Sequence, residues 1–138
     1  MRNAIVELDE QHPANVALAT KLMWFNESQA RPYDFLPVRL AIFDAQGNLS
    51  AGLMAATGWA WLNIDILFVE TSQRNCGLGS KLVQRAIKIA RARGCIGAML
   101  DTFDFQARGF YEKQGFNVFG ELANMPPGHV RYWMQRSI

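Results

Sequence analysis

What this sequence lacks narrows its chemistry first. It holds two cysteines, Cys76 and Cys95, with no C-x-x-C and no histidine close to either. That spacing argues against zinc and leaves two reduced thiols, the pattern of a cytosolic protein. No apolar run reaches the ~20 residues that span a bilayer, and MRNAIVELDE has no continuous apolar segment of the signal-peptide kind. The expectation is a cytoplasmic protein with no membrane partner. The formal net charge is only +2. That is too small for the basic patch of a nucleic-acid binder, though a weak positive field suits an anionic ligand. Internal repeats, low-complexity stretches and linkers are also missing.

What remains is an ordinary globular composition, half apolar and 19% charged over 138 residues. One domain spanning 1–138 is expected. Asn3–Leu8 has the makings of a short strand. From Pro13, Val16, Ala19, Leu22 and Met23 recur at helical spacing and predict a helix to about Phe25. Asn26–Pro37 reads as an irregular loop, with Pro32 and Pro37 as breakers. Val38–Asp44 and Leu49–Ala56 read as a hairpin around Ala45–Asn48, with a second reversal at Thr57-Gly58. Trp61–Val69 is a long apolar strand interrupted by Asn63 and Asp65. Strict alternation places those two on one face with Leu67, and Ile64, Ile66 and Phe68 on the other.

Residues 79–93 form the clearest helix, with Leu82, Val83, Ala86, Ile87 and Ala90 in one stripe and Gly94 to stop it. Ile96–Asp101 is a strand, 106–114 a short helix, and Phe116–Gly120 and Val130–Gln135 the last strands. A strand–helix–strand unit over 61–101 makes its two strands parallel.

The strongest chemical signal is Arg74-Asn75-Cys76-Gly77-Leu78-Gly79-Ser80, between that strand and that helix. A helix start leaves backbone N–H groups without partners and carries partial positive charge, so an anion is well placed there. Gly77 and Gly79 let the backbone approach a ligand, and Arg74 adds a guanidinium suited to phosphate oxygens. The plain alternative is a tight strand-to-helix turn. Neither a P-loop nor a dinucleotide-binding fingerprint is present.

Here the chain resembles the GNAT superfamily of N-acetyltransferases. Arg74-x-x-Gly77-x-Gly79 resembles that family's [QR]-x-x-G-x-[GA] loop. About thirty residues on, Ala107 with Phe110-Tyr111-Glu112-Lys113-Gln114-Gly115-Phe116 resembles its A-x-x-[FL]-Y-x-x-x-G-F segment. The tail Pro126-Pro127-Gly128-His129 with Arg131-Tyr132-Trp133 is similar to one bacterial branch. One position departs from the pattern: the family often has a cofactor-contacting Asn where this chain has Asp104, so either Gln106 or the backbone takes over that contact or the contact is absent.

The resemblance implies an α/β fold with a mixed, mostly antiparallel sheet, two splayed parallel strands and flanking helices. It implies acetyl-CoA as co-substrate, no metal, and an amine acceptor whose identity is not readable. A homodimer is common in the family. The pyrophosphate would lie on Asn75, Cys76, Gly77, Leu78, Gly79 and Ser80, and the pantetheine arm along Leu67, Phe68 and Val69. An N–H near Leu67 would polarise the thioester carbonyl.

Tyr111 would serve the leaving sulfur. With reference values of ~10 for tyrosine and ~8.5 for a thiol, proton transfer is uphill by only about 2 kcal/mol. The plain alternative is a tyrosine packed beside Phe110 and Phe116. Asp65 is the first choice for base, with Asp101 a weaker one; a structural hydrogen-bonded Asp65 is the alternative. Glu27, Asp34 and His129 are candidate acceptor contacts, set against solvated loop residues. Cys76 has no evident base beside it, so direct transfer is expected rather than an acetyl-enzyme. The rival function is a non-catalytic acyl-CoA binding domain of the same fold.

Overall fold

The structure, a computed structural model, describes residues 3–138. The chain divides into two compact units, one ending at Tyr33 and one spanning Asp34–Ile138.

In the first unit, helix α1 spans Ala14–Gln29. Its start is tied by side chains upstream. His12 Nδ1 accepts the Ala14 N–H at 3.0 Å, and the Asn15 amide reaches the carbonyls of Asp9 and Glu10. Nothing between Asn26 and Gln29 breaks a helix, so α1 runs four residues past the expected end at Phe25. Residues 3–13 hold turns and irregular backbone. The strand expected at Asn3–Leu8 is not formed: alternation signals the capacity for a strand, but only a ladder partner makes one.

The second unit holds strands β1 (Leu36–Phe43), β2 (Leu49–Gly58), β3 (Trp61–Val69), β4 (Gly97–Phe103), β5 (Asn117–Ala123) and β6 (Val130–Ser137). Its helices are α2 (Leu78–Ala92) and α3 (Arg108–Lys113). The six strands form one sheet in the order β1-β2-β3-β4-β6-β5, antiparallel throughout except for the parallel pair β3/β4. The β2–β3 reversal falls on Trp59 and Ala60, two residues beyond the expected Thr57-Gly58. Both take positive φ, the conformation a two-residue hairpin loop requires.

The stripe read from the sequence is the buried face of α2: Leu82, Val83, Ala86, Ile87 and Ala90. It packs with α3 on one face of the sheet, the inner face, against Leu53, Leu62, Ile64, Leu100 and Met134. Each such side chain contributes about 1.5–3 kcal/mol on burial. Arg93 secures the far end of α2. Its guanidinium donates to the carbonyls of Leu36 and Pro37 and to Thr57 Oγ1.

Candidate active site

The parallel strands form a fork. They pair at four positions only, from Trp61↔Gly97 to Ile64↔Leu100. Beyond that point β3 continues to Val69 and β4 to Phe103 without pairing to each other. A β-bulge lies at the branch. On β2, Ala55 faces Ile64 and Met54 faces Ile66, so Asp65 is the extra residue. Bulges bend a strand and increase its twist, and this one aims the end of β3 away from β4.

The bulge also resets which way side chains point. Leu62, Ile64, Leu67 and Val69 all face the core, while Asn63, Asp65, Ile66 and Phe68 are exposed on the outer face. The expected sharing of a face by Asp65 and Leu67 is therefore wrong, because alternation holds only across an uninterrupted ladder. Asp65 stands on the outer face at the branch point, where Asn63 Nδ2 donates to its Oδ1 at 2.9 Å.

The loop before α2 keeps its amides open. Gly77 caps the helix at φ +78°, and no side chain caps the first turn. A Cβ at Gly77 would meet no atom within 4 Å, yet the positive φ strains any other residue. Gly79 has a different reason to be glycine from the expected one. A Cβ there would stand 3.2 Å from the Phe110 ring and 3.8 Å from Val69 Cγ2, so its smallness serves the packing of α3 on α2. Arg74 turns back on the strand: its Nε donates to the Val69 carbonyl at 3.1 Å, and its guanidinium lies 5.9 Å from the Phe68 ring. Only its terminal nitrogens can then reach toward a ligand. Cys76 is exposed. Ser80 Oγ accepts from Gln114 Nε2 at 2.8 Å, a second link between α2 and the end of α3.

Tyr111 sits on α3 with its ring edge-on to Phe110 and Phe116, at centroid distances of 5.2 and 5.9 Å. It is 8% exposed. Burial, with a smaller contribution from the Asp101 carboxylate, pushes its pKa up to about 12. Against a thiol near ~8.5, full proton transfer then costs about 5 kcal/mol rather than 2. Such a hydroxyl keeps its proton and acts as a hydrogen-bond donor.

The outer face beside β4 carries groups the sequence reading did not join. Asp101 Oδ2 takes Arg131 Nε and Nη2, each at 2.8 Å. The Arg131 guanidinium lies 5.4 Å from the Phe103 ring and 4.8 Å from that of Trp133. This ion pair ties the Asp101 carboxylate to a cation, whereas the partner of Asp65 is a neutral amide. Gln106 turns inward: its Oε1 accepts from Thr102 Oγ1 and from the Phe103 N–H, closing the turn after β4. Asp104 is likewise engaged, with His129 and with the Val130 N–H. Of the remaining candidates, Glu27 lies on α1 in the first unit, and Asp34 opens the second with φ +54°. The partners of Asp101 and Asp104 lie 30 and 25 residues away. Only the β4–β6 register could have revealed them.

A splayed parallel pair, an uncapped glycine turn and a buried tyrosine on α3 now have a counterpart. Residues 6–116 match the profile of the Acetyltransferase (GNAT) family. The chain belongs to that family. It is 38% identical to a blasticidin-S acetyltransferase of Streptomyces morookaense over 132 residues, 94% of this chain and 92% of that protein. The crystal structure of an acetyltransferase from Bacillus cereus ATCC 14579 is similar over 100% of both chains, with a TM-score of 0.90 and 27% identity. An aminoglycoside 6'-N-acetyltransferase solved with coenzyme A shares the fold, with a TM-score of 0.65 and 20% identity over 96% of this chain and 95% of that one. As a GNAT acetyltransferase, the protein is an enzyme that moves an acetyl group from acetyl-CoA, its co-substrate, to an amine.

Proposed function

We propose that the enzyme acetylates a small-molecule amine in the cytoplasm, with the thioester seated in the fork between β3 and β4. One observation carries this reading: pairing of the two strands stops at Ile64 and Leu100 while both strands continue. That leaves the β4-facing backbone of Leu67, Phe68 and Val69 for an extended ligand to pair with, as an added strand does. The diphosphate lies on the amides from Asn75 to Ser80, at the uncapped start of α2. The near-full-length likeness to a blasticidin-S acetyltransferase supports a small-molecule acceptor.

The chemistry follows from the groups present. An alkyl ammonium near neutral pH must lose a proton before its nitrogen can attack. Asp65 takes that proton on the outer face, with Asn63 fixing the carboxylate. The nitrogen then forms its bond to the thioester carbon, whose oxygen is held by a backbone N–H near Leu67. The carbon–sulfur bond breaks, and the thiolate leaves toward the Tyr111 hydroxyl, which donates a hydrogen bond to it. A second nitrogen proton ends on sulfur, so the products are an amide, free coenzyme A thiol and one proton released.

Titration calorimetry with acetyl-CoA, followed by an amine panel that includes blasticidin S and reads thiol release, tests the assignment. Saturable binding with amine-dependent thiol is expected. Binding without thiol from any amine would overturn it in favour of acyl-CoA sensing.

A further inference from the structure

Asp104 replaces the asparagine common at this position, and its surroundings explain what the carboxylate does. Its Oδ1 lies 2.9 Å from His129 Nδ1, and its Oδ2 accepts the Val130 N–H at 3.1 Å. The Asp104 N–H in turn donates to the Val130 carbonyl at 3.0 Å. The loop that presents His129 is held from its other side too: the His129 carbonyl accepts from the Asn124 N–H at 2.7 Å, and its own N–H donates to the Pro126 carbonyl at 2.9 Å. The Phe105 ring meets the imidazole edge-on at 5.0 Å, and itself stacks on Phe103 at 5.2 Å. The Phe103 ring belongs to the outer face of β4, beside Arg131 and Asp101. His129 is therefore fixed just beyond the end of β4, next to the outer-face ring of Phe103 through Phe105.

A carboxylate only accepts, so Nδ1 carries the proton of the neutral ring and Nε2 is an acceptor. Deepening the reading under Proposed function, on which this inference rests, we propose that Asp104 is a positioning residue. It orients His129 so that Nε2 accepts a hydrogen bond from a second N–H or O–H of the acceptor, a group other than the amine that is acetylated. The acceptor class is thus a polyfunctional amine with an apolar flank that lies along the Phe103–Phe105 stack. A simple monoamine can react but gains nothing from His129.

The test compares amines from the panel that carry a second donor, blasticidin S among them, with alkyl monoamines that carry none. For the first group, His129→Ala raises the KM of the amine about three- to ten-fold, the worth of one hydrogen bond, with little change in kcat. For the monoamines it changes neither. His129→Gln, which places an acceptor oxygen in the same region, recovers part of the loss. Asp104→Asn has one oxygen for two donors and gives an intermediate rise in KM. The Kd for acetyl-CoA and the melting temperature, measured on every variant, separate this from a folding defect. Equal KM values for wild type and His129→Ala, or the same rise with monoamines, would overturn the inference alone. No thiol release from any amine with the wild type would remove it together with the transferase reading.

Discussion

The two halves of the β3/β4 pair are made from the same strands and do opposite things. In the closed half, Trp61–Ile64 and Gly97–Leu100 satisfy each other's backbone, and Leu62, Ile64, Ala98 and Leu100 are buried to within 4%. The fit leaves no slack: a Cβ on Gly97 would fall 2.5 Å from the Trp61 ring. In the open half, Ile66 and Phe68 are exposed and Asp65 has no partner on β2. One extra residue at the branch separates a packed stretch from an open one, and the proposed function gives the open stretch the work of binding.

That division can be broken at either end. The largest effect belongs to the closed half: Leu62→Ala should cost about 2–5 kcal/mol of stability in urea unfolding, because the site is fully buried, and leave KM values of the surviving fold nearly unchanged.

Next is an alkaline effect at the open half. The folded-state pKa of Tyr111 is raised to about 12, above the usual 10.0. Its protonated form therefore adds stability that is whole below pH 10 and is lost as pH climbs toward 12. Two units correspond to about 3 kcal/mol at most. Tyr111→Phe, which cannot ionise, should lose less stability over that window than the wild type; parallel curves would sever Tyr111 from the effect.

The same variant should lower kcat about ten-fold or more, on the general scale of such catalytic groups, while acetyl-CoA affinity holds. An unchanged kcat would take the hydroxyl out of the reaction.

The smallest change is expected for Gly77→Ala. The positive φ should cost about 1 kcal/mol, and acetyl-CoA should bind several-fold more weakly if the loop amides hold it. Unaltered affinity would move the diphosphate elsewhere.

Much of this architecture was legible from residue order. The bounds of β3 follow from its apolar run and the stripe on α2 from helical periodicity. The glycine turn was legible as the strand-to-helix connection before α2, although only Gly77 turned out to be needed by the backbone. Three things were not legible, each for a physical reason. The bulge at Asp65 depends on the register with β2, which no local pattern records. The absence of a strand at Asn3–Leu8 depends on a missing partner. The engagement of Asp104 by His129 depends on β6 returning beside β4.

The contact between Gly79 and Phe110, with the Ser80–Gln114 bond beside it, has a consequence for donor choice. It joins the start of α2 to the helix that carries Tyr111, so the anchor proposed for the diphosphate and the donor proposed for the sulfur are held at a fixed separation. Such a bracket works as a ruler set to one length of thiol carrier. Short acetyl thioesters without the nucleotide handle would arrive with no grip at the far end, and would be poor donors however reactive their carbonyl.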